Sequence, residues 1–166
     1  MKNIYFTKLI FKSHKGFTLL EVIVATGIFA IVFLVASTIF ITAINGQRKV
    51  FSLQIVQENG RYITESVSKE IRTAKIISDN GSTNILEIKN AKDEAVTYSF
   101  ENNQLKRNGL VLNSGKVKVS GKFYVQNMAE TSQPRVTMVM TIKYNSDLLT
   151  QQAKINLETT ISSRAY

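Results

Sequence analysis

An α+β chain, with one long N-terminal helix laid over an antiparallel β-sheet head, is the fold class that the 166 residues predict. Three observations carry that expectation. Residues 17–44 form an apolar run of 28 residues in which Glu21 is the single charge. Behind it the apolar positions fall into a helical stripe. Beyond Gly81 the segments shorten, alternate in polarity and are parted by turn-forming residues. Dividing the length by about 150 leaves room for one domain and an appendage, so a second full enzyme domain is excluded.

The apolar run comes first. At about 1.5 Å per residue, the 23 uncharged residues after Glu21 span roughly 34 Å, enough to cross a hydrocarbon core of about 30 Å. Its β-branched residues do not argue against helix, because in lipid a lone segment satisfies its own backbone only as a helix. Lys2, Lys8, Lys12 and Lys15 precede the run and Arg48 and Lys49 follow it. The positive-inside rule therefore favours a cytoplasmic N-terminus by a margin of two charges. A cleaved secretory signal peptide has an apolar region of about 7–15 residues, which this run exceeds. An ordinary signal anchor fits the length but gives no reason for a carboxylate inside the apolar segment. Glu21 either reaches back to the headgroups or finds a partner.

The stretch Lys15-Gly16-Phe17-Thr18-Leu19-Leu20-Glu21-Val22 resembles the class III signal of type IV pilins and type II secretion pseudopilins. That resemblance implies a leader over residues 1–16, whose basic residues Lys12 and Lys15 stay cytoplasmic. It implies cleavage by a membrane prepilin peptidase between Gly16 and Phe17, and N-methylation of Phe17. Glu21 becomes the fifth mature residue. Four positions from the new amine, its carboxylate lies on the same helical face and can neutralise an ammonium, its own or a neighbour's. In a low-dielectric bundle an unpaired carboxylate and an unpaired ammonium are each costly, so pairing them across subunits sets axial register. Many major pilins carry a Pro at mid-helix; here there is none, and a Pro kink is not expected.

After Asn45 and Gly46 the chain turns amphipathic. Leu53, Val56, Gly60, Ile63, Val67, Ile71 and Ala74 recur at spacings of three and four, and Glu65 with Lys69 forms a favourable i, i+4 pair. The next strong breaker is Asp79-Asn80-Gly81-Ser82. A single helix over 17–78 would be 62 residues and roughly 93 Å long, with residues 17–44 in lipid or against sister helices and 45–78 packed on the head. Gly60 either lets that helix approach a neighbour closely or is merely tolerated.

The head, 79–166, reads as strands over 85–88, 95–100, 104–106, 109–112, 116–125, 135–144 and 154–162. Turns fall at 90–93, 101–103, 108–109, 113–115 and 145–147. One antiparallel sheet with an apolar face over the second half of the helix buries both, giving a lollipop with a helical stem. The run Tyr98-Ser99-Phe100-Glu101-Asn102-Asn103-Gln104-Leu105-Lys106-Arg107-Asn108-Gly109, followed by Leu110-Val111-Leu112, is similar to the hairpin series of J-type minor pseudopilins.

Chemistry is absent where an enzyme would need it. There is no Cys, which excludes a disulfide scaffold, a thiolate metal site and a cysteine nucleophile. The one His, His14, lies in the leader. No phosphate-binding, nucleophile-elbow, zinc-protease or EF-hand motif occurs. Asp79, Asp93 and Asp147 sit in turns, where Asp commonly caps the backbone rather than binding calcium. No catalytic residue, metal or cofactor is expected.

The formal charge of +9 raises the question of an anionic partner. Four of the 21 cations lie in the leader, and removing it leaves 17 minus 12, or +5. Lys89, Lys92, Lys106, Arg107, Lys116, Lys118 and Lys122, with Tyr98, Phe123 or Tyr124, form either a solvated sheet face or a nucleic-acid contact. The resemblance implies a structural minor pilin or pseudopilin of the cytoplasmic membrane. Its partners would be other pilin subunits, prepilin peptidase, membrane lipid, a membrane platform and, indirectly, an ATPase. The competing reading is an anchored extracytoplasmic binding module that never polymerises and keeps its N-terminus.

Overall fold

The computed structural model describes residues 16–79, 81–126 and 133–164. One helix, α1 (Leu19–Thr73), is followed by nine strands: β1 (Lys75–Ile76), β2 (Gly81–Thr83), β3 (Ile85–Lys89), β4 (Ala95–Glu101), β5 (Gln104–Arg107), β6 (Leu110–Val111), β7 (Val117–Gln126), β8 (Arg135–Tyr144) and β9 (Lys154–Ser162). A short 3₁₀ turn, Leu149–Gln151, precedes β9. The chain divides into two compact units, one ending at Thr42 and the other beginning at Ala43.

In the second unit the expected stripe is the buried face of the helix. Val56, Ile63, Val67 and Ile71 are fully buried, and Leu53 packs on the core from a partly buried position. Burying such a side chain contributes about 1.5–3 kcal/mol, more than any helix propensity on this segment. Gly60 permits a close approach. A Cβ there would lie 2.8 Å from Leu157 Cδ1, 3.1 Å from Ile155 Cδ1 and 3.3 Å from Ile142 Cδ1, so the helix rests on β8 and β9 at this point.

The sequence predicts a single sheet, whereas the structure has two. One has the order β1-β3-β4-β5-β6 and the other β2-β7-β8-β9, all pairs antiparallel. The strand face that alternation predicts holds in β8, where Val136, Met138, Met140 and Ile142 point inward. Two tight hairpins of the first sheet use left-handed residues. Asn102 and Asn103 join Glu101 to Gln104, and Asn108 and Gly109 join Arg107 to Leu110, each pair with φ between 48° and 81°.

Core side chains and one buried amide join the sheets. The rings of Phe100 and Phe123 lie 4.8 Å apart, and Phe100 also covers Gly121, where a Cβ would come within 2.8 Å of its ring. Buried Asn113 accepts from the Leu105 N–H at 3.0 Å and donates to the Val117 carbonyl at 3.1 Å. Each group would be costly if left unpaired in this interior.

The helix ends at Thr73, five residues before the predicted end at Ser78. The donors beyond it are taken by β3: Ile76 pairs with Ile88, and the N–H groups of Ile77 and Ser78 both donate to the Glu87 carbonyl. Carbonyls of the last turn are met from elsewhere. Arg164 N–H donates to Arg72 O at 2.9 Å, the Ser163 hydroxyl to Ala74 O, and the Thr73 hydroxyl back to Glu70 O. Short β1 and β2 lie in what reads as helix end and breaker. Residues 80 and 127–132 fall outside the described residues, as do 165–166.

Candidate processing and assembly segment

Gly16, Phe17 and Thr18 lead into the helix, and Phe17 is 81% exposed. Thr18 caps it. Its hydroxyl oxygen accepts the Glu21 N–H at 3.2 Å, while its carbonyl accepts Val22 N–H at 3.2 Å. Thr18-x-x-Glu21 therefore has the spacing of a capping box, and the Glu21 carboxylate stands in the first turn, where the helix dipole favours negative charge. Glu21 thus has a local role in starting the helix, one that the Thr-x-x-Glu pattern signals in the sequence. Lys12, Lys15 and the leader through residue 15 lie outside the described residues.

Beyond the cap, α1 includes a stretch long and apolar enough to cross a membrane, with none of it buried. Ile23, Phe29, Phe33, Leu34, Ile39 and Phe40 are among its exposed side chains. An apolar surface this large on a described chain needs lipid or sister helices to cover it. The hydroxyls in this stretch leave no donor loose. Thr26 donates to Val22 O, Ser37 to Phe33 O, Thr38 to Leu34 O and Thr42 to Thr38 O, at 2.8–2.9 Å. Back-bonding of this kind removes the polar cost of Ser and Thr in hydrocarbon. Gly27 has open space around its Cα, and the helix passes through it without interruption.

In the second unit the charged residues divide. Arg107 on β5 holds Glu70 on α1 through two bonds, Nη2 to Oε1 at 2.6 Å and Nε to Oε2 at 2.9 Å, and the Tyr98 hydroxyl donates to the same carboxylate. The bond from Arg107 holds the Glu70 carboxyl below its ordinary value, against the opposing effect of burial. Burial, followed by the bond to Glu70, pushes the Tyr98 phenol up. This cluster fixes the helix to the five-stranded sheet, and the sequence gives no spacing signal for a pair 37 residues apart.

The basic residues expected as a possible patch are dispersed. Lys89 pairs with Asp93 at 3.1 Å, Lys106 with Glu101 at 3.2 Å, and Arg107 with Glu70. Tyr98 and Phe123 are buried in the core, so neither ring is available as a stacking surface. Lys116, Lys118, Lys122 and Tyr124 are exposed. Lys118, Lys122 and Tyr124 share the outer face of β7. The pairing register brings Lys143 beside Lys118 and Lys154 beside Lys143, both absent from the expected set.

A capped apolar helix long enough to cross a membrane, with self-bonded hydroxyls, and a helix packed on antiparallel sheet in the second unit give the chain a pilin-like α+β fold. Residues 11–37 match the family model described as the prokaryotic N-terminal methylation motif, which supports the type IV pilin and pseudopilin class and processing by prepilin peptidase. That class is structural, and it implies other pilin subunits and prepilin peptidase as partners. No curated protein and no solved structure matches the chain.

Proposed function

We propose that this chain is a minor pilin or pseudopilin, cut between Gly16 and Phe17, methylated at Phe17 and assembled through its N-terminal helix into a type IV pilus or secretion pseudopilus. The observation that carries this reading is the pairing of an uncovered apolar helix with a single carboxylate, Glu21, in its first turn. In a simple anchor that carboxylate serves only to start the helix, whereas a bundle of processed helices also supplies an ammonium to pair with it. Before assembly the helix sits in the cytoplasmic membrane with its N-terminus cytoplasmic and the head outside. By the resemblance to pilins and pseudopilins, a membrane platform and a cytoplasmic ATPase drive that assembly. The hairpin series over residues 98–112 supports a place among minor subunits resembling the J-type.

Glu21→Ala tests the register role. It keeps the Thr18 cap, because the Glu21 N–H remains, so insertion and processing proceed. The mature variant is expected to be processed normally yet be lost from sheared filaments. Wild-type recovery in the filament fraction overturns the pairing of Glu21 with a subunit's amine.

A further inference from the structure

The outer face of the four-stranded sheet carries a feature that no N-terminal processing explains. Register places Lys118 of β7 opposite Lys143 of β8, and Lys143 opposite Lys154 of β9, so three lysines form one row across adjacent strands. Neighbouring strands lie about 4.8 Å apart, inside a screening length of about 8 Å at physiological salt. Like charges directly opposite each other destabilise a sheet. None of the three has an ion pair with any described residue. Lys122 and Arg135 lie on the same face, and Glu158, in the row of Lys122 and Val139, is its one acid among the described residues.

We propose that this face binds the phosphodiester backbone of a nucleic acid along the lysine row. The proposal is independent of how the N-terminus is processed. Charge complementarity requires an anionic partner, and a second copy presenting this same face offers only Glu158 among the described residues. A lipid surface is disfavoured because the face has few apolar anchors, Tyr124 and Val139 among them. Lysine suits phosphate as a point charge, and the neighbouring rows supply the hydroxyl and amide groups that accompany phosphate contacts. Thr141 donates to Asn156 Oδ1 and Thr137 bonds Thr160, each at 2.9 Å, which leaves these rows ordered on the surface. Tyr124, 44% exposed on the same face, offers a ring for a base to stack on.

The test uses the full chain in detergent micelles and a labelled oligonucleotide, single-stranded and duplex, with fluorescence anisotropy read across a salt series. The variant K118Q/K143Q/K154Q is compared with K49Q/K75Q/K92Q, which removes the same charge elsewhere. The row variant is expected to weaken binding about tenfold or more and to lower the slope of log affinity against log salt by about 2–3, following about 0.7–0.9 per phosphate contact. The control variant is expected to change affinity by less than about twofold. The row variant should melt no lower than wild type, because it removes repulsion. Equal losses in both variants, or no binding by wild type, overturn the proposal. Poly-glutamate competing as well as the oligonucleotide assigns the face to an acidic protein instead. Tighter binding to vesicles of anionic lipid than to the oligonucleotide assigns it to the membrane; either result refutes the nucleic-acid assignment.

Discussion

Replacing Glu70 by Gln removes the charge from the cluster that fastens α1 to the five-stranded sheet while keeping its size. Exposed ion pairs contribute about 0–1 kcal/mol, and breaking a buried one costs about 3–5 kcal/mol. With side chains 19% and 37% exposed, the Glu70–Arg107 pair falls between these limits, so Glu70→Gln is expected to cost about 2 kcal/mol. For a head of this size that is roughly 6–10 °C in melting temperature. Near-ultraviolet circular dichroism from Tyr98, Phe100 and Phe123 follows the head during a melt of the full chain in micelles. The pH dependence separates charge from packing. Because the folded carboxyl is held below 4.5, its contribution is complete above that value and is lost as pH falls through the lowered one. The difference between wild type and Glu70→Gln should therefore be full at neutral pH and close on acidification below about 4.5. A difference that stays constant down to strongly acidic pH refutes the ion-pair account and leaves only altered packing.

Further outcomes follow from the same structure. At Gly121 an added Cβ would meet the Val139 carbonyl at 2.5 Å and the Phe100 ring at 2.8 Å, so Gly121→Ala should destabilise the head by about 2–3 kcal/mol in a denaturant titration. Gly60→Ala should cost less, about 1 kcal/mol or below, because its Cβ meets only methyl ends and the helix gains propensity. Above pH 10 the Tyr98 phenol ionises in the unfolded chain while the fold holds it protonated, so the head should lose stability, and Tyr98→Phe should blunt that alkaline loss in the same melts. An equal alkaline loss in Tyr98→Phe contradicts this.

Much of the fold was legible because burial writes itself as period. The stripe from Val56 to Ile71 spells the buried helix face, and alternation marks β8 and β9 over the strand limits observed. The two-residue turns at Asn102-Asn103 and Asn108-Gly109 were legible for the same local reason. What escaped was non-local. Nothing in Lys75 or Ile76 favours strand over helix until β3 is present to take the backbone donors, and β2 exists only because β7 offers an edge. The contact of Phe100 in one sheet with Phe123 in the other, over Gly121, has no local pattern to announce it. Which lysines share a face was not legible, because cross-strand register sets it: Lys118 lies opposite Lys143, and Lys143 opposite Lys154. At the N-terminus, Gly16-Phe17 and Glu21 stand out in the sequence, and so does the Thr18 cap once the three-residue spacing to Glu21 is considered.

Mass spectrometry of the mature protein recovered from membranes tests the central claim most directly. A first residue of N-methylated Phe17 is the predicted result. A chain that retains Met1, or begins anywhere upstream of Phe17, contradicts it and leaves an anchored head that never enters a filament.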